Sequence, residues 1–199
     1  MIKTIQELKE IYRLYDDIQG KIRREVNEGK IHPIMRGLYE TNQNTPGYLL
    51  ANSIYGPSYL SFEFALAFHQ LIPEKVTLFT SASSQKRKTK IYQTPFGNFS
   101  YRDIPKAAFS YGVETIKTEG YHLKIASKEK ALCDMLCQLK PLTSVGQIPR
   151  LLFEDLRIDE DDFNHLSQQK LKKLIPLYKR KNLTLLGQYL SRGNQHDHY

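Results

Sequence analysis

One predicted helix near the amino-terminal end carries side chains that could read DNA bases. Ile18, Ile22 and Val26 recur at helical spacing and mark its buried side. At about 100° per residue, the opposite face holds the candidate base-reading residues Gly20, Arg23, Arg24 and Asn27. Arginine pairs bidentately with guanine and asparagine with adenine, and each good pair contributes about 1–3 kcal/mol of discrimination. A glycine on that face would let the helix backbone come close to the DNA.

Other basic side chains near this helix could hold phosphates. Lys21 lies on its flank, and Lys30 and Arg36 follow in a segment that could contact phosphate or the minor groove. The alternative is an ordinary surface helix, because every amphipathic helix places charged residues opposite its apolar side. Residues 1–45 contain eight Lys or Arg against seven Asp or Glu, so binding there would depend on the placement of charges rather than on net charge.

A stronger basic signal lies in the rest of the chain. It consists of a run near residues 85–90 and of helices near the carboxyl-terminal end, where no acid interrupts residues 170–192. The candidate residues are Lys86, Arg87, Lys88, Lys90, Lys170, Lys172, Lys173, Lys179, Arg180 and Lys181. They predict a surface for a polyanion or an acidic protein. The alternative of solvated helix faces, partly balanced by the acids of residues 154–162, stays open.

The motifs of common catalytic and metal sites do not occur in the sequence. There is no phosphate-binding glycine loop, no dinucleotide fingerprint, no His-Glu-x-x-His and no Cys-x-x-Cys. Glu63, Glu129 and Asp134 are acids that could form a carboxylate site, but nothing in their spacing requires one. We therefore expect a protein that is not an enzyme and that needs no metal or cofactor.

The composition is that of a basic globular protein. The 199 residues carry a formal net charge of +8 and are 40% apolar, which favours a polyanionic partner. The amino-terminal residues lack the apolar region of a signal peptide, and no apolar run approaches the roughly 20 residues that a membrane span needs. We expect a cytoplasmic protein that does not enter a membrane.

Two short helices would position the candidate base-reading face. Thr4 and Glu7 have the spacing of a capping box at the start of the first helix. Either Asp16 or Asp17 can cap the second helix, and Gly29 ends it.

A hairpin is predicted directly after the second helix. Residues 30–39 alternate loosely and turn at Arg36-Gly37, and the polar residues 41–46 read as a linker. Two helices and a hairpin in this order predict a winged helix-turn-helix over residues 1–45. Such a module normally has one more helix, and the helix predicted near residues 48–55 is the candidate to complete its core.

Residues 46–193 predict a larger mixed α/β domain, which makes the fold class α+β. Apolar helices are expected near residues 61–71, capped by Ser61, and 128–138, capped by Ser127. Strands are expected at residues 76–81, 88–94, 98–102 and 121–125. The segment up to 193 continues as helices, and 194–199 reads as a disordered tail. The expected core is Leu60, Phe62, Phe64, Ala65, Leu66 and Phe68 against Val76, Leu78, Ile91, Phe99, Leu132 and Leu136.

Several segments go beyond these general patterns. Residues 57–73 read PSYLSFEFALAFHQLIP, residues 94–102 read TPFGNFSYR, and residues 126–134 read ASKEKALCD. Residues 36–39, which read RGLY, precede them. In this order, the segments resemble the AbiEi antitoxin family of abortive-infection type IV toxin–antitoxin systems, over about residues 4–139.

The resemblance implies a function as well as a fold. It implies a winged helix-turn-helix followed by an α/β antitoxin domain with a carboxyl-terminal helical segment. It further implies repression of the protein's own operon at inverted repeats in promoter DNA, and neutralisation of a nucleotidyltransferase-like toxin. The alternative is an antitoxin that acts directly on its toxin through the basic surface of the second domain, without sequence-specific DNA binding.

Overall fold

The chain is an α+β protein in the computed structural model, which describes residues 1–86, 88–118 and 120–193. Its strands are β1 (Ile2–Thr4), β2 (His32–Met35), β3 (Leu38–Glu40), β4 (Ser58–Leu60), β5 (Leu78–Ser83), β6 (Lys90–Thr94), β7 (Gly97–Asp103), β8 (Val113–Thr118) and β9 (Tyr121–Ala126). Its α-helices are α1 (Ile5–Ile11), α2 (Ile18–Asn27), α3 (Ala51–Ile54), α4 (Phe62–Phe68), α5 (Lys128–Gln138), α6 (Glu160–Asn164), α7 (Gln168–Tyr178) and α8 (Lys181–Gly193). Short 3₁₀ turns occupy Gly47–Leu50, Lys106–Ala108 and Val145–Gln147, and a π-helical turn occupies Arg150–Asp155.

Residues 2–40 form a small module of one sheet and two helices. The sheet is antiparallel with the order β1-β3-β2, and α1 and α2 enclose a core of Leu8, Ile22 and Ile31. The predicted capping box is confirmed, since Glu7 N donates to Thr4 Oγ1 at 3.2 Å and Thr4 N donates to Glu7 Oε2 at 2.7 Å. The start of α1 is therefore fixed by local hydrogen bonds as well as by apolar packing.

The sheet of this module also packs on the rest of the protein. Ile34 belongs to the large core, and Ile2, Met35 and Leu38 lie against that core. The helical segment over residues 47–54 contributes to the large core as well, rather than to the small one as expected. The sheet of the small module is thus a layer between α1 and α2 on one side and the larger domain on the other.

A six-stranded mixed sheet organises the larger domain, with the order β6-β7-β5-β4-β9-β8. β5 pairs with β7 and β4 with β9 in parallel, and the other neighbouring strands are antiparallel. Because β5 and β7 are parallel, they finish at the same edge, where Ser83 Oγ donates to Asp103 Oδ1 at 2.7 Å. α4 and α5 pack on this sheet and on each other, and α7 and α8 pack on α5.

The sequence predicted the long elements better than the short ones. α5 has the predicted bounds, and Ser127 Oγ caps it by accepting from Lys130 N at 3.3 Å. β1, β4 and β8 were not predicted. The predicted core is wrong at Phe68, Leu78 and Ile91, which are 43%, 38% and 68% exposed because they lie at a helix end, a strand start and an edge strand. The predicted tail, residues 194–199, lies outside the described residues.

Candidate nucleic-acid interface

The candidate base-reading face of α2 is formed as predicted at three of its four positions. Arg23, Arg24 and Asn27 are exposed, while Ile22 on the opposite side is buried. Within the described residues, none of these three side chains forms an ion pair or a hydrogen bond with another part of the protein. They are therefore available for an external partner.

Gly20 was predicted to let the helix come close to DNA, but the helix cap gives a different reason for a glycine there. The backbone amide of Gly20 donates to Asp17 Oδ1 at 2.8 Å, so Asp17 rather than Asp16 caps α2. A Cβ at Gly20 would lie 1.9 Å from Asp17 Oδ2, and any side chain there would displace the capping carboxylate. The absence of a side chain at this position is sufficiently explained by the cap.

Lys21 is engaged inside the small module rather than free for a phosphate. Its Nζ lies 2.5 Å from Glu25 Oε1 and 5.6 and 5.1 Å from the ring centres of Tyr12 and Tyr15. The hydrogen bond to Glu25 raises the pKa of Lys21 and lowers the pKa of Glu25. Lys21 neutralises a nearly buried carboxylate, and a phosphate contact would have to compete with that interaction.

Of the two basic residues predicted to contact phosphate from the hairpin segment, one is paired within the module and the other is exposed. Lys30 Nζ lies 2.6 Å from Glu28 Oε2 and 3.7 Å from Glu25 Oε1, so it is paired within the module. Arg36 is exposed at the two-residue turn between β2 and β3, with Gly37 at φ 82°. Gly37 O accepts from Ile5 N at 2.9 Å, which places the hairpin tip beside the start of α1. Arg36 remains a candidate phosphate contact.

The predicted basic surface is exposed in most of its residues. Lys86, Lys88, Lys90, Lys172, Lys173, Lys179, Arg180 and Lys181 are exposed and form no ion pair with a described residue. Lys170 differs, because its Nζ lies 3.6 Å from Glu129 Oε2. Arg87 lies outside the described residues.

A buried polar network at the centre of the larger domain was not predicted from the sequence. Lys130 and Asp134 are both fully buried, and Lys130 Nζ donates to Asp134 Oδ1 at 2.8 Å. Asp134 Oδ2 accepts from Ser61 Oγ at 2.6 Å and from Tyr59 Oη at 2.9 Å, and its Oδ1 accepts from Tyr178 Oη at 2.6 Å. Every oxygen of this carboxylate is satisfied, so the network holds β4, α5 and α7 together.

The network corrects the predicted role of Ser61. Its hydroxyl makes no cap at the start of α4 and donates to Asp134 instead. A lysine and an aspartate four residues apart within an apolar helix could have indicated the pair, because (i, i+4) side chains are neighbours on a helix. The partners Tyr59 on β4 and Tyr178 on α7 could not be found this way, since 75 and 44 residues separate them from Asp134.

The three acids considered as a carboxylate site do not meet. Glu63 forms an ion pair with Arg102, whose guanidinium lies 4.0 Å from the centre of the Phe62 ring. Glu129 and Asp134 each have their own partners. Among the described residues, no group of three or more His, Cys, Asp or Glu side chains could hold a metal ion.

A cavity of about 470 Å³ lies next to the Glu63–Arg102 pair, between the sheet and α4. Its walls are mainly apolar and include Leu66, Val76 and Met135. Because Glu63 and Arg102 neutralise each other, the polar end of the cavity presents no uncompensated charge from this pair. The cavity could admit a small apolar molecule, but it shows no arrangement of acid, base and nucleophile.

Glu129 links the starts of α5 and α7, and its titration gives a prediction. Burial raises the pKa of its carboxyl, but hydrogen bonds from its own amide, from Ser167 N and from Ser127 Oγ outweigh burial and lower that pKa below its ordinary value. A carboxylate with a lowered folded-state pKa stabilises the fold above its unfolded pKa, about 4.3, and loses that contribution as the pH falls below it.

We therefore expect Glu129→Gln to lower the free energy of unfolding by about 1–3 kcal/mol at pH 7 and much less at pH 3. Denaturant unfolding of both proteins at the two pH values measures the difference. An equal loss at both values would show that the side chain acts through packing and not through its charge.

No protein-family model matches the chain, and no curated protein is significantly similar to it. Within the described part of the chain, no helix combines the length and the apolar character needed to cross a membrane. The outer face of α2 is the strongest candidate site, because its side chains are exposed and unengaged on a regular helix.

Proposed function

We propose that the chain is a sequence-specific DNA-binding regulator whose small module is a winged helix-turn-helix. The observation that carries the proposal is the exposure of Arg23, Arg24 and Asn27 on one face of α2, without an internal partner among the described residues. In helix-turn-helix proteins the second helix of the pair enters the major groove, and α2 is the second helix here.

The order of elements supports the same proposal. A strand, two helices and two strands follow one another, and β2 and β3 form a hairpin next to the helix pair. This is the arrangement in which a hairpin acts as the wing beside a recognition helix. The wing would be short, since the turn between Met35 and Leu38 contains two residues.

The charges of the small module indicate which part of α2 would contact DNA. Asp16 and Asp17 are exposed before the first turn of α2 and would repel phosphates there. Arg23, Arg24 and Asn27 lie in the middle and at the end of the helix, where such repulsion is weaker. Base reading by the second half of α2, with Arg36 on a phosphate, therefore fits the distribution of charge best.

The antitoxin part of the proposal depends on the resemblance of the sequence to the AbiEi family. The segments that carry this resemblance supply Tyr59, Ser61, Lys130 and Asp134, and these residues meet in the buried network. Shared sequence segments that meet in one core support a shared fold of the second domain. On this proposal the protein represses its own promoter and neutralises a nucleotidyltransferase-like toxin encoded beside it.

A binding titration tests the DNA-binding proposal. Fluorescence anisotropy compares the DNA upstream of the protein's own gene with a scrambled duplex of equal length at several salt concentrations. We expect affinity for the upstream DNA to exceed that for the scrambled duplex by at least 10³-fold, with log K falling by about 0.9 per phosphate contact for each log unit of salt. Equal affinity for both duplexes would refute sequence-specific binding.

The second candidate function is direct capture of the toxin through the basic surface of the larger domain. The exposed and unpaired lysines of that surface favour an acidic partner. Co-expression with the adjacent gene, followed by size-exclusion chromatography, separates the two candidates. A stable complex that forms with a chain unable to bind the promoter would favour direct capture.

A further inference from the structure

Six basic residues of the larger domain lie on segments that meet at one corner, which we call the basic corner. It consists of Lys86, Lys106, Lys140, Lys179, Arg180 and Lys181. All six are exposed, and within the described residues none of them pairs with an acid. They come from the segments after β5, after β7 and after α5 and from the junction of α7 and α8.

Hydrogen bonds bring these four segments together. Lys86 N donates to Asp103 Oδ2 at 2.5 Å, and Gln138 Nε2 donates to Asp103 O at 2.7 Å. Asn182 Nδ2 donates to Lys140 O at 3.1 Å. The end of β7, the end of α5 and the start of α8 therefore meet at this corner.

Three further contacts lie at the corner. Arg180 interacts with the thiol of Cys137 in the last turn of α5 and opposes the rise in the pKa of that thiol that burial causes. The Lys106–Ala108 turn packs on α7, the helix that ends at this junction. Lys86 Nζ lies 5.2 Å from the centre of the Tyr55 ring, so an aromatic surface lies beside the charges.

The sequence segments that form this corner contain almost no acidic residues. Residues 75–113, 135–153 and 163–193 contain sixteen Lys or Arg and one acid, Asp103. The carboxylate of Asp103 accepts from Ser83 Oγ and Lys86 N, so it serves to hold the corner together. Positive charges on closely spaced segments create an electrostatic field that attracts a polyanion at long range.

We infer that the basic corner is a second nucleic-acid site, which binds the phosphate backbone without reading sequence. Five of the six cations are lysines. Lysine is depleted in the centres of protein interfaces, where arginine and aromatic residues dominate, whereas it serves phosphates well as a point charge. The corner consists of loops and a helix junction, so its contacts would go to phosphates, which carry no base identity.

A groove beside the corner is also lined by basic residues. It lies between α7 and α8, and Lys179 and Arg192 both line it, together with the hydroxyls of Thr184 and Ser191. Both hydroxyls already donate to backbone carbonyls, Thr184 to Arg180 O and Ser191 to Gly187 O, so the two cations would make the phosphate contacts in this groove. This site goes beyond the proposed promoter recognition, because it involves no residue of α2 and requires no particular sequence.

The test uses a short random-sequence DNA duplex and an RNA duplex of equal length, so that no operator is present. The variant Lys106→Gln/Lys140→Gln/Lys181→Gln removes three charges from the corner. The control variant Lys117→Gln/Lys124→Gln/Lys128→Gln removes three exposed charges from β8, β9 and the start of α5, and the net charge of the two variants is equal. Both are titrated by anisotropy at several salt concentrations.

We expect the corner variant to bind the duplexes at least 10-fold more weakly and to lower the slope of log K against log salt by about 2–3, at about 0.9 per lost contact. The control should change affinity less than 2-fold. Equal weakening in both variants would overturn the inference, because net charge alone would explain it. Unchanged duplex binding by the corner variant, with loss of a toxin complex, would assign the surface to an acidic protein and also overturn it. A loss confined to DNA or to RNA identifies the nucleic acid.

Discussion

Replacing Lys130 with methionine is expected to lower the free energy of unfolding by about 3–5 kcal/mol. Lys130 and Asp134 are both fully buried, and the change would leave a buried carboxylate whose remaining donors are three hydroxyls. Burial lowers the pKa of Lys130, and the neighbouring Asp134 opposes that shift. Each ion is therefore tolerated in the core because of the other. For a chain of this size the melting temperature should fall by about 6–20 °C.

Thermal and denaturant unfolding measure this effect, and two further variants control for it. Lys173→Met removes an exposed lysine on α7 and should change stability by no more than about 0.5 kcal/mol. The double variant Lys130→Met/Asp134→Asn keeps an acceptor for the hydroxyls but removes the charge, so it should be more stable than Lys130→Met alone. A double variant less stable than the single one would contradict an electrostatic role for the pair.

The network explains why the carboxyl-terminal helices belong to the larger domain. Tyr178 in α7 donates to Asp134, and Ser167 N at the start of α7 donates to Glu129 Oε1 at 3.0 Å. Two polar anchors at the two ends of α7 thus fix this helix along α5. The basic corner follows directly after Tyr178, so the same anchors hold the α7–α8 junction in place.

Local sequence patterns predicted most elements of the small module. The Thr4–Glu7 capping box, the apolar spacing along α2 and the turn at Arg36-Gly37 all depend on residues a few positions apart. Such patterns are governed by local geometry and can be read from one sequence. β1 was not predicted, because a three-residue strand carries almost no periodic signal and depends on its pairing with β3.

The larger domain was predicted less well, because its contacts join distant segments. β4 was not predicted as a strand, although it lies at the centre of the sheet between β5 and β9. Ile91 was expected in the core, but β6 is an edge strand, and the position of a strand in a sheet cannot be read from its own residues. Pairing of parallel strands such as β5 and β7 requires crossover connections that local patterns do not specify.

The candidate site, like the fold, was predicted where it depends on residues close in sequence and not where it depends on distant ones. The exposure of Arg23, Arg24 and Asn27 follows from helical periodicity alone. The engagement of Lys21 with Glu25 was also accessible, since the two residues are four apart on α2 and carry opposite charges. The convergence of the basic corner was not accessible, because it depends on hydrogen bonds such as that between Gln138 and Asp103.

The double variant Arg23→Gln/Arg24→Gln is expected to lose specific promoter binding while it stays folded. Two bidentate base contacts contribute about 2–6 kcal/mol of discrimination together, which corresponds to a loss of roughly 30-fold to 10⁴-fold. Both side chains are exposed and unpaired within the described residues, so stability should change by no more than about 0.5 kcal/mol. Lys117→Gln/Lys124→Gln, with the same loss of charge on β8 and β9, is the matched control.

The most direct test of the proposed function is the ratio of promoter affinity to scrambled-duplex affinity, measured by anisotropy for the wild type and these two variants. We predict that the ratio falls by at least 30-fold in Arg23→Gln/Arg24→Gln and stays within about 2-fold of the wild type in the control. A high ratio retained by the arginine variant would show that α2 does not read the promoter, and would contradict the proposed recognition helix.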